Sequence, residues 1–299
     1  MKSSNLQHKH FDTIDSTQLY ARQQYSYLKP GEWTLYTADG QTGGIGTKGK
    51  TWNSPYKVNI YATYSFLIEE KDSAKMLYMP HVTCLQVAKL LESQSINPSI
   101  KWVNDVLINQ KKVCGILSES FSNTVKQDGI NYTAVLIGIG INVNSDANQV
   151  SQISQPATSI KIETQKEHNI EELTDILSDL IMSGINTLLT QGFVELQSEI
   201  NERLEKFDNM PVILEKPGGK YTVGYIHGVG NEGQLILHKG GNLFEDCYSG
   251  SILRGEELRN SFWNPEVIKL LMQLQNPNAE NNDKCILKFI MASAFPKKV

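Results

Sequence analysis

The sequence predicts an α+β protein, a larger domain of strands and amphipathic helices followed by a small β-barrel. Apolar runs of strand length recur at 33–38, 58–68, 100–119 and 132–143. Helical periodicity marks 18–28, 73–94 and 171–191. From 210 to 253 the texture changes to short β-runs broken by Pro217-Gly218-Gly219, Gly230-Asn231-Glu232-Gly233 and Gly240-Gly241-Asn242, which is barrel-like punctuation. These segments divide the chain into a polar tail (1–10), a main domain (11–206), a barrel (207–256) and a C-terminal extension (257–299) to which the sequence assigns no role.

The first helix opens at Asp15-Ser16-Thr17, where Ser16 and Thr17 read as N-cap chemistry. In the second, Pro80 kinks the helix or marks its true beginning. The third ends at Gly192, and 193–206 reads as a further helix. The run 132–143, YTAVLIGIGINV, has the continuous apolarity of a buried strand. Beyond the barrel, 265–275 reads as one amphipathic helix, and 285–295 is an apolar run expected to pack on the body or a partner.

Composition narrows the function classes. A net charge of −4 gives no bulk attraction to nucleic acid or anionic membrane, so DNA and membrane are not expected partners. Cys84, Cys114, Cys247 and Cys285 form no CxxC pair and the six histidines are scattered, which argues against a protein-built metal site. The N-terminus lacks the apolar core of a signal peptide, and no run reaches the ~20 apolar residues of a membrane span. A reduced, cytoplasmic setting is expected.

The stretch 100–119, SIKWVNDVLINQKKVCGILSE, organises the chain. It reads as two extended runs joined at Asn109-Gln110-Lys111, with Ile100, Trp102, Val106 and Ile108 on one parity. Lys101, Asn104, Asp105 and Lys112 are polar groups a purely structural hairpin has little use for, although Lys112 alone also reads as a solvated strand-end lysine. Gly115 inside the second run points to a close approach to the backbone. Upstream, Gly43, Gly44, Gly46 and Gly49 with Lys48 and Lys50 form a loop able to cradle phosphate, or an ordinary surface loop. Gly44 to Thr51 spells GxxxxGKT, but a P-loop needs a helix at its end, and Pro55 with a strand-like run follows instead. Gly138, Gly140 and Asn142 alternate on one strand face. They suit a trough for a flat or chain-like ligand, or tight packing of another element.

The order of these segments resembles the biotin–protein ligases over 11–254. The likeness is carried by Asp15-Ser16-Thr17, Gln41-Thr42 with the glycine loop and Trp52, Lys101-Trp102-Val103-Asn104-Asp105, Lys112 to Leu117, and Gly138 to Asn142. It implies a mixed sheet with helices packed on one side (class II synthetase-like), then an SH3-like barrel. It also implies activation of biotin by ATP, with Mg²⁺, to biotinyl-5′-AMP, and transfer to a lysine of a carboxylase's biotin carrier domain. By that match Lys112 would be catalytic. Ser16, Thr17, Gln41, Gly44, Ile45, Gly115, Leu117, Gly138 and Gly140 would join Lys112 around biotin. Gly46, Thr47, Lys48, Lys50, Trp52, Asn104, Asp105 and Asn142 would serve the nucleotide, with Mg²⁺ arriving with ATP near Asp105. Trp52 would cover the adenine side.

The family's loop carries arginine where this chain has Thr47, often a basic residue where it has Ile45, and proline where it has Val103. Threonine cannot reproduce an arginine's fork of donors, which implies weaker hold on the adenylate unless Lys48 or Lys50 compensates. No helix-turn-helix precedes Phe11, so the repressor activity of some relatives is not expected, and a monomer or homodimer is. A lipoate or octanoate ligase of the same fold is the nearest alternative, and a binding relative without turnover the next.

Overall fold

The computed structural model describes residues 5–274, which divide into two compact units, one of 5–153 with 157–203 and one of 154–156 with 204–274. The first unit carries β1 (Leu6–Ile14), α1 (Thr17–Gln24), β2 (Trp33–Gln41), β3 (Ile60–Glu69), α2 (Met79–Ser93), β4 (Pro98–Lys101), β5 (Asp105–Ile108), β6 (Lys111–Gln127), β7 (Ile130–Ile141), α3 (Ala147–Ser151), α4 (Ile160–Thr164), α5 (Ile170–Gln191) and α6 (Val194–Glu202). Its seven strands pair in the order β1-β2-β3-β7-β6-β5-β4. The β1–β2 pairing is parallel and the rest are antiparallel, so the sheet is mixed.

The two faces of this sheet are used differently. On β3, Tyr64 reaches Ser178 of α5 with a 2.9 Å hydrogen bond, while its neighbour Thr63 reaches Thr17 and Gln18 of α1. Side chains alternate along a strand, so α5 covers one face and α1 the other. The expectation of helices on one side is therefore corrected: α2, α5 and α6 form a layer over one face, and the short α1 shares the other with the glycine loop. Apolar faces of α2 and α5, with Leu85, Leu90, Leu91, Leu177, Ile181 and Leu188 all buried, form the core on the helical side.

Local signals explain the element boundaries. Ser16 caps α1 by accepting from the Leu19 N–H. Pro80 lies in the first turn of α2, where a missing N–H leaves no bond unmade, and 70–78 is 3₁₀ rather than α-helical. Asn169 caps α5, and Gly192 ends it at φ +93°. The stretch 100–119 holds three strands, not two: β4 turns into β5 through Trp102-Val103-Asn104, and β5 into β6 through Asn109 and Gln110. Both of those turn residues have positive φ (49° and 61°), the geometry of a tight two-residue hairpin. Leu6–His10, read from sequence within a polar tail, is instead edge strand β1.

The second unit carries β8 (Val212–Lys216), β9 (Lys220–Val229), β10 (Leu235–Gly240), β11 (Leu243–Cys247), β12 (Ser251–Ile252), α7 (Gly255–Ser261) and α8 (Pro265–Gln273). Its strands pair in the order β11-β10-β9-β8-β12, with no pairing between β11 and β12 among the described residues. The expected barrel is thus an antiparallel sheet whose hydrogen bonds do not close a ring. Ile213, Val223 and Leu253 pack with Val267, Leu271 and Leu274 of the α8 region in its core. Cys285 and the 285–295 run lie outside the described residues. Among the described residues no helix is long and apolar enough to cross a membrane.

Candidate active site

In-register pairing across the antiparallel strands sets two rows of side chains on the α1 face. Lys101 pairs with Asp105, Asp105 with Gly115, Gly115 with Gly140, and Gly140 with Tyr61. In the second row Leu117 pairs with Gly138, and Gly138 with Thr63. The rows bring residues from five strands together. Three glycines at their centre carry no side chain, and all three line one cleft.

Lys112 belongs to this face only because of a bulge. Three residues separate it from Gly115, which in a regular strand would put the two on opposite faces. The register slips between Val106–Cys114 and Leu107–Lys112, so Val113 is the extra residue. The slip turns Lys112 onto the glycine face, where a Cβ on Gly115 would lie 3.0 Å from its Nζ.

The Lys112 ammonium is 2.6 Å from Asp105 Oδ1, and the Lys101 ammonium is 3.3 Å from Oδ2. All three side chains are nearly enclosed. Burial works to raise the Asp105 carboxyl, but Lys112 and Lys101 together hold it below the usual carboxylate range. Two ammoniums and one carboxylate leave one net positive charge facing the cleft. Behind the sheet, burial pushes the thiols of Cys84 and Cys114 up, so neither is a nucleophile at neutral pH.

The glycine loop folds as a miniature hairpin. Gly46 N–H donates to Lys50 O at 2.7 Å and Trp52 N–H to Gly44 O at 2.9 Å, with Lys48 left-handed at the tip (φ 57°). No α-helix follows, so the GxxxxGKT match is not a P-loop. The hairpin throws the Trp52 indole onto the sheet, where a Cβ on Gly140 would meet its ring at 2.3 Å. Its Nε1 is buried with no hydrogen-bond partner among the described residues, and Lys112 Nζ lies 5.3 Å from the ring centre. A side chain of the loop therefore occupies the floor over Gly115 and Gly140, and the open space lies beside it.

Of the residues singled out from sequence, Ser16, Thr17, Gln41, Ile45, Gly46, Thr47, Trp52, Asn104, Lys112, Gly115, Leu117, Gly138 and Gly140 line this cleft. Gly44, Lys48, Lys50, Asp105 and Asn142 do not. Gly44 is tightly enclosed, since a Cβ there would meet Trp52 O at 2.6 Å. Asn142 is buried and donates to Thr158 O at 3.0 Å. The two oxygens of Asp105 are engaged by the Lys101 and Lys112 ammoniums. Sequence reasoning passed over Gln18, Tyr61, Ala62 and Thr63, which also line the cleft. The odd-numbered parity of β3 with Gln18 next to the Ser16-Thr17 cap was the available signal for Thr63 and Gln18.

A mixed sheet thus presents three glycines and Lys112 of the charged trio to one cleft, beside a glycine loop. Residues 10–142 match the sequence model of the Biotin/lipoate A/B protein ligase family. The chain is 26% identical to the bifunctional ligase/repressor BirA of Escherichia coli (strain K12) over 230 residues, 76% of this chain and 68% of that one. It is 34% identical to the BirA of Bacillus subtilis (strain 168) over 154 residues, half of this chain and 44% of the relative. With the biotin–[acetyl-CoA-carboxylase] ligase of Paracoccus denitrificans it shares 28% identity over 228 residues, 75% of this chain and 90% of that one. The solved biotin protein ligase of Aquifex aeolicus in complex with biotin and ATP superposes with a TM-score of 0.68 at 26% identity, covering 83% of this chain and 99% of that one. Over 10–142 the chain is thus similar to the Biotin/lipoate A/B protein ligase family.

Two measurements check the site. Gly140→Ala puts a methyl where the indole lies, so Trp52 must leave the floor: its fluorescence should shift to the red, and the shift should vanish in a Trp52→Phe background. The lowered Asp105 carboxyl stabilises the fold above its unfolded value of about 3.9, and this contribution is lost as pH falls through the lower folded value. Urea unfolding between about pH 5 and 2 should therefore show a shallower loss of stability in Asp105→Asn than in the wild type.

Proposed function

We propose that this protein is an ATP-dependent biotin–protein ligase. The biotin carboxylate attacks the α-phosphorus of ATP, the bond to the β-phosphate breaks, and biotinyl-5′-AMP and pyrophosphate form. The neutral amine of a lysine on a carboxylase's biotin carrier domain then attacks the acyl carbon, releases AMP and leaves an amide. ATP enters as its magnesium complex, and no protein ligand to that ion is assigned.

The observation that carries the reading is Lys112, turned by the bulge onto the glycine face and fixed there by Asp105. Two unit negative charges 4 Å apart repel by about 4 kcal/mol at an effective dielectric of 20. A carboxylate and an α-phosphate can meet only where positive charge is already in place and does not have to reorganise. The trio supplies that charge, and Lys112 is its member in the cleft. Ser16, Thr17 and Gln41 supply polar groups for the ring system of biotin, and Gly115, Leu117, Gly138 and Gly140 the wall and floor. Ile45 of the loop would join them around biotin, while Gly46, Thr47 and Trp52 with Asn104 would serve the nucleotide, and closure of the loop would keep water from the mixed anhydride.

Pyrophosphate release on adding biotin and MgATP, followed by the mass shift of a carrier domain, tests the reading directly. Lys112→Ala should cut adenylate formation by about 10²- to 10³-fold, the scale of losing one preorganised charge-stabilising donor, while the far-ultraviolet circular dichroism stays native. Near-normal turnover would remove Lys112 from its role. Thr47→Arg should slow escape of biotinyl-5′-AMP into solution, measured as release from a preloaded complex, because arginine adds a fork of donors that threonine lacks. An unchanged release rate would dissociate Thr47 from retention.

A further inference from the structure

We infer that the C-terminal run 285–295 seats on the outer face of α8 in the same chain, as a tethered cover over Trp263, Ile268 and Met272. The inner side chains of α8, Val267 and Leu271, are buried against Ile213, Val223 and Leu253, with Leu274 just beyond the helix end. A helix packed on one surface should be polar elsewhere, and α8 is not. Ile268 and Met272 stand one turn apart on a second face, 42% and 78% exposed. Asn264 caps the helix by accepting from the Glu266 N–H, which makes Ile268 its fourth residue and Trp263 the residue before the cap. Side chains at those two positions are neighbours at a helix start. Trp263 is nevertheless 86% exposed. On a wheel at about 100° per residue, the apolar side chains from Leu270 round to Met272 cover roughly 200°, and Glu266, Lys269 and Gln273 fill the rest. One contact needs an apolar arc of only about 100°, so α8 is built for a second.

The size of this stripe decides what covers it. A stable interface between separate chains takes about 800 Å² and 20–30 residues a side, and three side chains supply far less. A segment of the same chain needs no such area, because a short tether holds it at millimolar effective concentration. The sequence supplies such a segment directly after the helix. The stretch 275–284, QNPNAENNDK, is polar but for Pro277 and Ala279, and in 285–295, CILKFIMASAF, only Lys288 and Ser293 are polar. As a flexible chain the linker spans roughly 16–19 Å. A helix of this length is about 14 Å long, so the run can reach any part of the stripe. It is too short to cross a bilayer, which takes about 20 residues.

The test reads Trp263 by subtracting from the emission of each chain that of its own Trp263→Phe version, with and without acrylamide. In the full chain Trp263 should emit to the blue and resist quenching. A chain stopped after Gln275 should show it shifted to the red, with a quenching constant severalfold higher. Phe289→Asp combined with Ile290→Asp in the full-length chain should reproduce those values while the circular dichroism stays native, and this variant carries the test if the shortened chain does not fold. Trp263 equally accessible in the full and altered chains would overturn the inference. So would shielding that appears only as the protein is concentrated, with the mass by light scattering rising to that of a dimer, or only when vesicles of phosphatidylcholine and phosphatidylserine are added.

Discussion

One buried carboxylate governs the geometry of the site. Asp105 is almost wholly enclosed, and a lone carboxylate in that position would be too costly to keep ionised. It is tolerated because two hairpins deliver an ammonium to each of its oxygens, Lys101 across the β4–β5 turn and Lys112 through the bulge in β6. A buried pair of opposite charges adds little net stability once desolvation is counted. A trio with one charge left over has a different value: it holds a cation at a fixed place before any anion arrives. Removing either lysine leaves the carboxylate underpaired, so both are constrained by a residue that itself stays off the cleft wall.

The second constraint is steric. Gly115, Gly138 and Gly140 are not demanded by positive φ, and none of them lies in a turn. They are demanded by what lies over them: the Trp52 ring above Gly115 and Gly140, and the Gln18 amide above Gly138. A strand in the middle of the sheet gives up some stability by carrying glycine there. What is gained is main chain within reach of flat groups, first the indole of the loop and then whatever the cleft admits.

Much of this was legible in the sequence, for physical reasons that can be named. The apolar continuity of β7 marked a central strand, Ser16 sits where a cap belongs, and Gly192 ends a helix. The alternating glycines at 138 and 140 did share one face. The bulge was not legible, because an extra residue in a strand leaves no compositional trace, and simple alternation would have sent Lys112 to the thiol side with Cys114. The break at Trp102 to Asn104 was hidden for a similar reason: Ile100, Trp102, Val106 and Ile108 are all buried on either reading, so their parity could not reveal a turn. Gln18 and Glu119, hydrogen-bonded at 2.8 Å, are far apart in the chain, and their pairing has no local signature. The C-terminal strands were legible as strands, but closure is a property of pairing between β11 and β12, which no single run encodes.

Gln41 ends β2 and touches both sides of the cleft entrance. Its Oε1 takes the Thr17 N–H at 2.9 Å at the head of α1, and its Nε2 reaches Ser54 Oγ at 2.9 Å on the far leg of the glycine loop. Ser54 in turn holds the Trp52 carbonyl at 3.1 Å. One glutamine is thereby a mechanical linkage, its carbonyl gauging the helix and its nitrogen latching the tryptophan. The helix end and the main chain that carries the indole are thereby joined by three successive hydrogen bonds that bypass the sheet beneath.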